Sequence, residues 1–242
     1  MPGNYRGVHL TNVLSKIVER AIASFLTPFF DKFGYGIDQW AFRRRRSCRD
    51  LVALLISRWI WALDNGFKIA LYLSDISGAF DRVDRKILTQ RLRDIGLPTA
   101  LVDFLYAYLA PREATVVVQG SRSPLFAIFD EVFQGTVLGP PLWNIFFEPI
   151  DEPIRCTGFR IAKFADDLSA YRNYESSVAN NDILKDIRHC QGVTHKWGMR
   201  NRAIFDRDKE HFCILHKSDC YGEVFRLLGV LVDPKLRMED II

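Results

Sequence analysis

Arg160-Ile161-Ala162-Lys163-Phe164-Ala165-Asp166-Asp167-Leu168-Ser169-Ala170-Tyr171 is the stretch on which the fold turns. Two short β-forming runs, Arg160–Phe164 and Leu168–Tyr171, flank Ala165-Asp166-Asp167, so the segment reads as strand, tight turn, strand. The turn carries two adjacent carboxylates, which repel each other unless they are solvated or bound to cations. Upstream, Lys68–Ser74 (KIALYLS) reads as an apolar strand, and Asp75 follows it directly in Asp75-Ile76-Ser77-Gly78-Ala79-Phe80. A carboxylate at a strand end is held rigidly while it faces a cleft. If the two segments lie side by side, Asp75, Asp166 and Asp167 converge as hard oxygen donors suited to Mg²⁺, which takes carboxylates together with substrate phosphates. Two such ions about 3.5–4 Å apart stabilise both the attacking and the leaving oxygen of an in-line phosphoryl transfer.

Between these segments lies Gln134-Gly135-Thr136-Val137-Leu138-Gly139-Pro140-Pro141. Gly135 and Gly139 allow a ligand to approach the backbone closely, and the helix expected from Leu142 brings an N-terminus nearby. Taken singly, each feature has an ordinary structural use: Asp75 as a helix cap, Asp166-Asp167 as turn residues, the glycine loop as a strand–helix connection. Their joint occurrence in this order is what points to chemistry.

Outward from this centre the chain reads as interspersed helices and short strands. Thr11 or Asn12 caps a helix whose apolar face is Leu14, Ile17, Val18, Ala21, Ile22, Phe25 and Leu26, ending near Gly34. Ser47 caps a second, with Leu51, Leu54, Leu55, Trp59 and Ala62 on one side. Asp84 opens a third, stopped by Gly96 and Pro98, and a fourth covers about 100–109. Thr115–Gln119 and Leu125–Val132 form a hairpin around Gly120-Ser121. A long helix from about Ser176 carries Ile183, Ile187, Cys190, Thr194 and Trp197 on one stripe, and strands near His211–Leu215 and Phe225–Val232 follow. Without a regular βαβ alternation, the expected class is α+β, with helices packed on an antiparallel sheet.

Composition agrees. The 242 residues are 48% hydrophobic and 26% charged with a net charge of +4, which excludes disorder as the main state. The greasiest run, Leu51–Leu63, is interrupted by Arg58 and is shorter than the about 18–20 apolar residues of a membrane span. Met1–Leu10 lacks the apolar core of a secretory signal. Cys48, Cys156, Cys190, Cys213 and Cys220 form no CxxC pair and are odd in number, which favours a reducing, intracellular compartment. His211, Cys213, His216 and Cys220 are close in sequence, but strand alternation sets His216 away from His211 and Cys213. Charge is uneven: residues 1–60 hold ten Lys/Arg and four Asp/Glu, against 23 and 25 in the remainder. A basic first quarter containing Arg43-Arg44-Arg45-Arg46 attracts polyanions.

The ordered motifs resemble the reverse transcriptase domain of non-LTR (LINE-type) retrotransposons along nearly the whole chain. Asn4–Leu10 (NYRGVHL) resembles the family's NYRPISL, with Gly7 where the family has proline, and Val13–Arg20 the helix after it. Gln39-Trp40-Ala41-Phe42-Arg43 resembles QxGFR, followed by an unbroken Arg run. Asp75–Asp81 resembles motif A, Gln134–Pro140 motif B, Phe164–Asp167 motif C, Phe205–Lys209 motif D and Leu227-Leu228-Gly229-Val230 the primer grip.

The resemblance implies a right-hand polymerase palm, an antiparallel sheet backed by helices, with partial fingers and no thumb. It divides the chain into fingers (1–67), motif A palm (68–85), a fingers–palm connection (86–133) and palm (134–242). It implies catalysis by Asp75, Asp166 and Asp167 with two Mg²⁺ ions (Mn²⁺ as a substitute), the Ile76 carbonyl adding a ligand. The nucleotide contacts would be Arg6 on the triphosphate, Phe80 as steric gate against a ribose 2′-OH, Gln134 and Gly135 along the incoming nucleotide, and Lys209 near the pyrophosphate. Arg43, Arg44, Arg45 and Arg46 would follow the template, and Leu228 and Gly229 the primer. The partners implied are an RNA template, a DNA primer, dNTPs and flanking domains of a larger polyprotein, with the nucleus as the place of action. A catalytically inactive nucleic-acid-binding remnant is the alternative.

Overall fold

The computed structural model describes residues 10–129 and 131–237. They form two compact units: residues up to Tyr35 together with Gly78–Glu148, and Gly36–Ser77 together with residues from Pro149 on. In chain order the helices are α1 (Val13–Phe33), α2 (Cys48–Asp64), α3 (Arg85–Asp94), α4 (Thr99–Tyr108), α5 (Gly139–Phe147), α6 (Asp151–Cys156) and α7 (Asn180–Asn201). The strands are β1 (Phe67–Ser74), β2 (Arg112–Ala114), β3 (Val117–Val118), β4 (Ser121–Arg122), β5 (Phe126–Ile128), β6 (Arg160–Phe164), β7 (Asp167–Glu175), β8 (His211–Leu215), β9 (Phe225–Leu227) and β10 (Val230–Val232).

The second unit is built on an antiparallel sheet in the order β6-β7-β1-β8. β1 lies between two partners and is buried on both faces. Its odd-numbered residues Ile69, Leu71 and Leu73 pack with Leu51, Leu55 and Trp59 of α2 in one apolar cluster. Each such side chain contributes about 1.5–3 kcal/mol by leaving water. The even-numbered residues face α7, whose buried stripe includes Ile183, Ile187, Cys190, Thr194 and Trp197, all five as the sequence periodicity predicts. Polar side chains on this face are satisfied. Lys68 Nζ donates to the Val178 carbonyl, Asn180 Oδ1 and Asp219 Oδ2, and Tyr72 OH donates to Glu210.

The outer edge of β6 is covered by residues 38–40. The Lys163 amide donates to the Asp38 carbonyl (2.8 Å) and the Trp40 amide to the Lys163 carbonyl (2.9 Å), so the edge is paired rather than left open. The Lys163 side chain forms an ion pair with Asp151 at the start of α6, the two being 0% and 2% exposed.

In the first unit, Asn12 caps α1 and Gly34 ends it, as expected. The expected apolar face is inward only in part: Leu26 is buried and Ile22 half-buried. Leu14, Ile17, Val18 and Phe25 are exposed, and the buried residues are Glu19, Leu26 and Phe30. The reason is Glu19: its carboxylate accepts hydrogen bonds from the Val137 amide (2.6 Å) and the Leu138 amide (3.4 Å). It thereby caps the N-terminal end of α5, where negative charge is favourable. α5 starts at Gly139, earlier than Leu142, because Pro140 and Pro141 occupy first-turn positions that need no amide donor. The hairpin is split: β2 pairs with β5 and β3 with β4. Its two-residue turn is Gln119-Gly120, both at positive φ (50° and 81°), one residue earlier than expected.

Glu131 in this unit makes a pH prediction. Burial, with the Asp81 carboxylate adding and Arg112 opposing, pushes its carboxyl from 4.5 up to about 7. Between those values the folded chain holds a proton that the unfolded chain has lost, so stability falls as pH rises through this window. Glu131→Gln is therefore expected to stabilise the protein at pH 8 by on the order of 1 kcal/mol, after discounting for solvent screening, and to do nothing at pH 4. Thermal melts of parent and variant at the two pH values check this. The same shift in Tm at both would refute it.

Candidate active site

The register of the sheet brings two of the three motif carboxylates, Asp75 and Asp167, together. β1 and β7 pair antiparallel up to Ser74 opposite Leu168, so one step further Asp75 stands opposite Asp167. β6 and β7 are joined by a two-residue turn, with Phe164 opposite Asp167 and Ala165-Asp166 at the apex. Asp75 and Asp167 line one cavity of about 270 Å³, while Asp166 is half-buried beside it in sequence.

After β1 the backbone continues into a second pairing. The Asp206 amide donates to the Asp75 carbonyl (3.0 Å) and the Ser77 amide to the Ile204 carbonyl (2.9 Å), an antiparallel bridge between Ile76 and Phe205. In this pattern the bridging residues direct their own amide and carbonyl outward, so the Ile76 carbonyl is not spent on this ladder. The same pairing delivers the short helical turn Arg207–Lys209, capped by Asp206. Lys209 Nζ then lies 2.8 Å from Asp75 Oδ2 and 3.3 Å from Asp206 Oδ2. The hydrogen bond to Asp75 holds the Lys209 ammonium above the ordinary lysine range.

The turn that carries Asp166 and Asp167 is strained. Ala165 has φ +57°, a region that L-residues with a Cβ avoid. Both of its backbone polar groups are bound by one side chain: its amide donates to Gln39 Oε1 (3.1 Å), and Gln39 Nε2 donates to its carbonyl (3.1 Å). A second strained turn joins β9 and β10. Leu228 (φ +49°) and Gly229 (φ +92°) connect Leu227 to Val230. Leu228 lines the same cavity as Asp75 and Asp167, as do Asp208, Lys209, His211 and Arg226. Sequence reading did not single out Arg226, and it quoted Gln39 in the QxGFR-like motif without giving it a role. Arg226 stands between two buried residues, Phe225 and Leu227, on a strand, so alternation turns it outward, and that signal was available.

The remaining nucleotide-site candidates belong to the first unit. The Phe80 ring stacks on Trp143 (centroids 5.5 Å apart, planes at 23°), and its carbonyl accepts from the Val132 amide at 2.8 Å. Gln134 is half-buried, and Gly135 is exposed at φ +88°, a conformation that requires glycine. A Cβ on Gly139 would lie 2.8 Å from the Phe133 carbonyl oxygen and 2.9 Å from Thr136 Oγ1, so the tight loop excludes larger residues there.

The arginine run divides into two pairs. Arg43 donates to the Gly36 carbonyl (2.7 Å) and Arg46 to the carbonyls of Ile37 and Gln39, so these two shape their own loop. Arg44 and Arg45 are exposed. Arg6 lies outside the described residues.

The donor chemistry fits a divalent hard cation. Asp75 already holds a cationic group in the Lys209 ammonium. Among the described residues no three His, Cys, Asp or Glu side chains are grouped closely enough to ligate one ion. Two carboxylates completed by substrate phosphates is the coordination Mg²⁺ commonly adopts.

An antiparallel sheet covered by helices, with carboxylates on adjoining strand ends and a lysine and a strained hairpin around them, defines the palm of a right-hand polymerase. Comparison with known proteins supports this. The reverse transcriptase (RNA-dependent DNA polymerase) family profile matches residues 1–230, and the chain belongs to that family. It is 28% identical over 252 residues to a probable RNA-directed DNA polymerase from the Drosophila melanogaster transposon X-element, covering 97% of this chain and 27% of that protein. It is also 28% identical over 257 residues to the RNA-directed DNA polymerase from the D. melanogaster mobile element jockey, covering 96% and 27%. Both relatives are polymerases of mobile elements, which agrees with the LINE-type resemblance of the motifs. The chain spans 27% of the length of these two relatives. Among solved structures, apo telomerase from Candida tropicalis truncated from its C-terminal domain matches with TM-score 0.60 and 12% identity, over 90% of this chain and 44% of that one. C. tropicalis telomerase with a TWJ fragment of telomeric RNA gives 0.60 and 12%, over 95% and 38%. At such identity the likeness is one of fold.

Proposed function

We propose that this domain synthesises DNA on an RNA template, adding dNTPs to a primer 3′-OH. The observation that carries the reading is Asp75 opposite Asp167 at the ends of adjacent central strands, with the Lys209 ammonium on Asp75. Asp75, Asp166, Asp167 and the Ile76 carbonyl are the groups that would hold two Mg²⁺ ions, or Mn²⁺ in their place. Bound there, the metal supplies Lewis acidity at the primer hydroxyl and charge neutralisation at the departing pyrophosphate. Lys209, an ammonium hydrogen-bonded to Asp75, carries a proton for that leaving group. Phe80, fixed against Trp143, occupies the place of a ribose 2′-OH, and Gln134 and Gly135 lie along the incoming nucleotide, whose triphosphate Arg6 grips. Arg44 and Arg45 follow template phosphates while Arg43 and Arg46 keep their loop in shape. Leu228 and Gly229 support the primer end. A nucleic-acid template is supported by the telomerase neighbour solved with an RNA fragment. Flanking domains of a longer polyprotein and action in the nucleus, where chromosomal DNA would supply the primer, complete the reading.

Primer extension on an RNA template with Mg²⁺ tests it. The parent chain is expected to incorporate dNTPs, refuse rNTPs, and stop when the metal is chelated. Phe80→Val is expected to raise the rNTP-to-dNTP ratio of kcat/KM by about tenfold or more, because one steric contact is worth about 1–3 kcal/mol of discrimination. A folded chain that binds primer–template and never extends it would overturn the proposal in favour of an inactive remnant.

A further inference from the structure

We infer that Gln39 is a positioning residue for the catalytic turn: its side-chain amide locks Ala165 in the left-handed conformation that aims Asp166 and Asp167. The inference deepens the polymerase reading above and rests on it for its kinetic consequence. Gln39 is 1% exposed, 126 residues from Ala165 in sequence, and all three of its recorded side-chain hydrogen bonds go to backbone. Its Oε1 accepts from the Ala165 amide (3.1 Å) and the Ala41 amide (3.0 Å), and its Nε2 donates to the Ala165 carbonyl (3.1 Å). A residue that only filled space would not require an amide. This one satisfies both the donor and the acceptor of a single strained residue.

The clamp is itself immobilised. The backbone of residues 38–40 is paired with Lys163 on the β6 edge. Arg46 donates to the Gln39 carbonyl (3.0 Å), and its guanidinium lies over the Trp40 ring at 5.0 Å. A chain of contacts therefore runs from the arginine loop through Gln39 to Ala165 and the two carboxylates that follow. Left alone, an alanine at φ +57° relaxes toward negative φ, which rotates the peptide leading into Asp166. Displacements of about 1 Å at reacting groups reduce rates by about 100-fold.

The test is a double-mutant cycle with Ala165→Gly, since glycine adopts positive φ without strain and does not need the clamp. In the parent background, Gln39→Ala and the better-filling Gln39→Leu are expected to lower kcat for primer extension by about 10–100-fold, with the KM for dNTP within about threefold. In the Ala165→Gly background the same Gln39→Ala step is expected to cost no more than about threefold. A general loss of packing would cost equally in both backgrounds, and that result, or an unchanged kcat in Gln39→Ala, overturns the inference. Amide hydrogen exchange supplies a readout independent of activity. Gln39→Ala is expected to speed exchange of the Ala165 amide by at least about tenfold while β8 amides are unchanged. If the parent chain does not extend primers, the polymerase reading fails, and exchange alone decides the clamp: unaltered protection at Ala165 refutes it, selective loss upholds it.

Discussion

Replacing Asp166 and Asp167 together by alanine is expected to reduce primer extension by at least about 1,000-fold while leaving the fold intact. The size of the effect follows from what the two carboxylates face. The β1–β7 register sets Asp167 against Asp75, and the cavity they share is where developing negative charge on phosphate must be offset. Losing a single preorganised electrostatic group in such a place costs about 100–1,000-fold, and each tenfold is about 1.4 kcal/mol of barrier. Two carboxylates proposed to hold metal at one site are expected to exceed that floor. The fold is spared because neither side chain is part of the core: Asp167 is exposed and Asp166 half-buried at the turn. Substitutions at such positions change stability by about 0.5 kcal/mol or less, so a melting curve matching the parent's separates lost chemistry from lost structure. Asp75→Asn asks a different question. It removes a charge proposed to bind metal and also the hydrogen bond that raises the Lys209 ammonium, so the alkaline limb of its pH profile, unlike that of the double alanine variant, is expected to move to lower pH. Equal extension by the parent and the double variant would remove these carboxylates from the mechanism.

What the sequence discloses, and what it hides, divides along sequence distance. The strand–turn–strand around Asp166, the strand before Asp75 and the inner stripe of α7 are all local patterns, set by strand and helix periods that a short window reveals. The inward face of α1 is not local. A helix wheel sets Leu14, Ile17 and Val18 toward a core, yet in this first half of α1 the buried residue is Glu19, because its partners are amides 118 and 119 residues away. Gln39 hides for the same reason, its partner lying 126 residues on. The arginine run shows a third limit. Composition marks Arg43–Arg46 as one basic block, but two of the four are consumed by carbonyls of their own loop, a geometric outcome that charge counting cannot see. The assignment of residues 36–77 to the same unit as those from Pro149 on also depends on β1 pairing with β7 and β8.

The largest loss of stability is expected from Lys163→Met, about 3–5 kcal/mol, measured by urea unfolding. Lys163 and Asp151 are 0% and 2% exposed, and burial pushes the Asp151 carboxyl up while Lys163 is the first influence opposing it. Removing the ammonium leaves a carboxylate that has neither water nor its main counter-ion. Arg155, 3.6 Å from Asp151, recovers part of the loss, which sets the expectation toward the lower end. Against a total stability of about 5–15 kcal/mol for a domain, even 3 kcal/mol moves the unfolding midpoint decisively. The pH dependence has a definite sign. Without Lys163 the folded-state carboxyl rises further above its unfolded value of about 3.9, so the variant loses stability as pH increases, and the deficit is smaller at pH 5 than at pH 8. Asp151→Asn alone strands the ammonium instead and is expected to be destabilising as well. Lys163→Met with Asp151→Leu replaces both charges by apolar groups and is expected to recover most of the loss, since a buried pair contributes little beyond what a packed hydrophobic pair would. If Lys163→Met costs less than 1 kcal/mol, the pair is hydrated, and the β6 edge that carries the catalytic turn is held by its backbone pairing to residues 38–40 rather than by this charge.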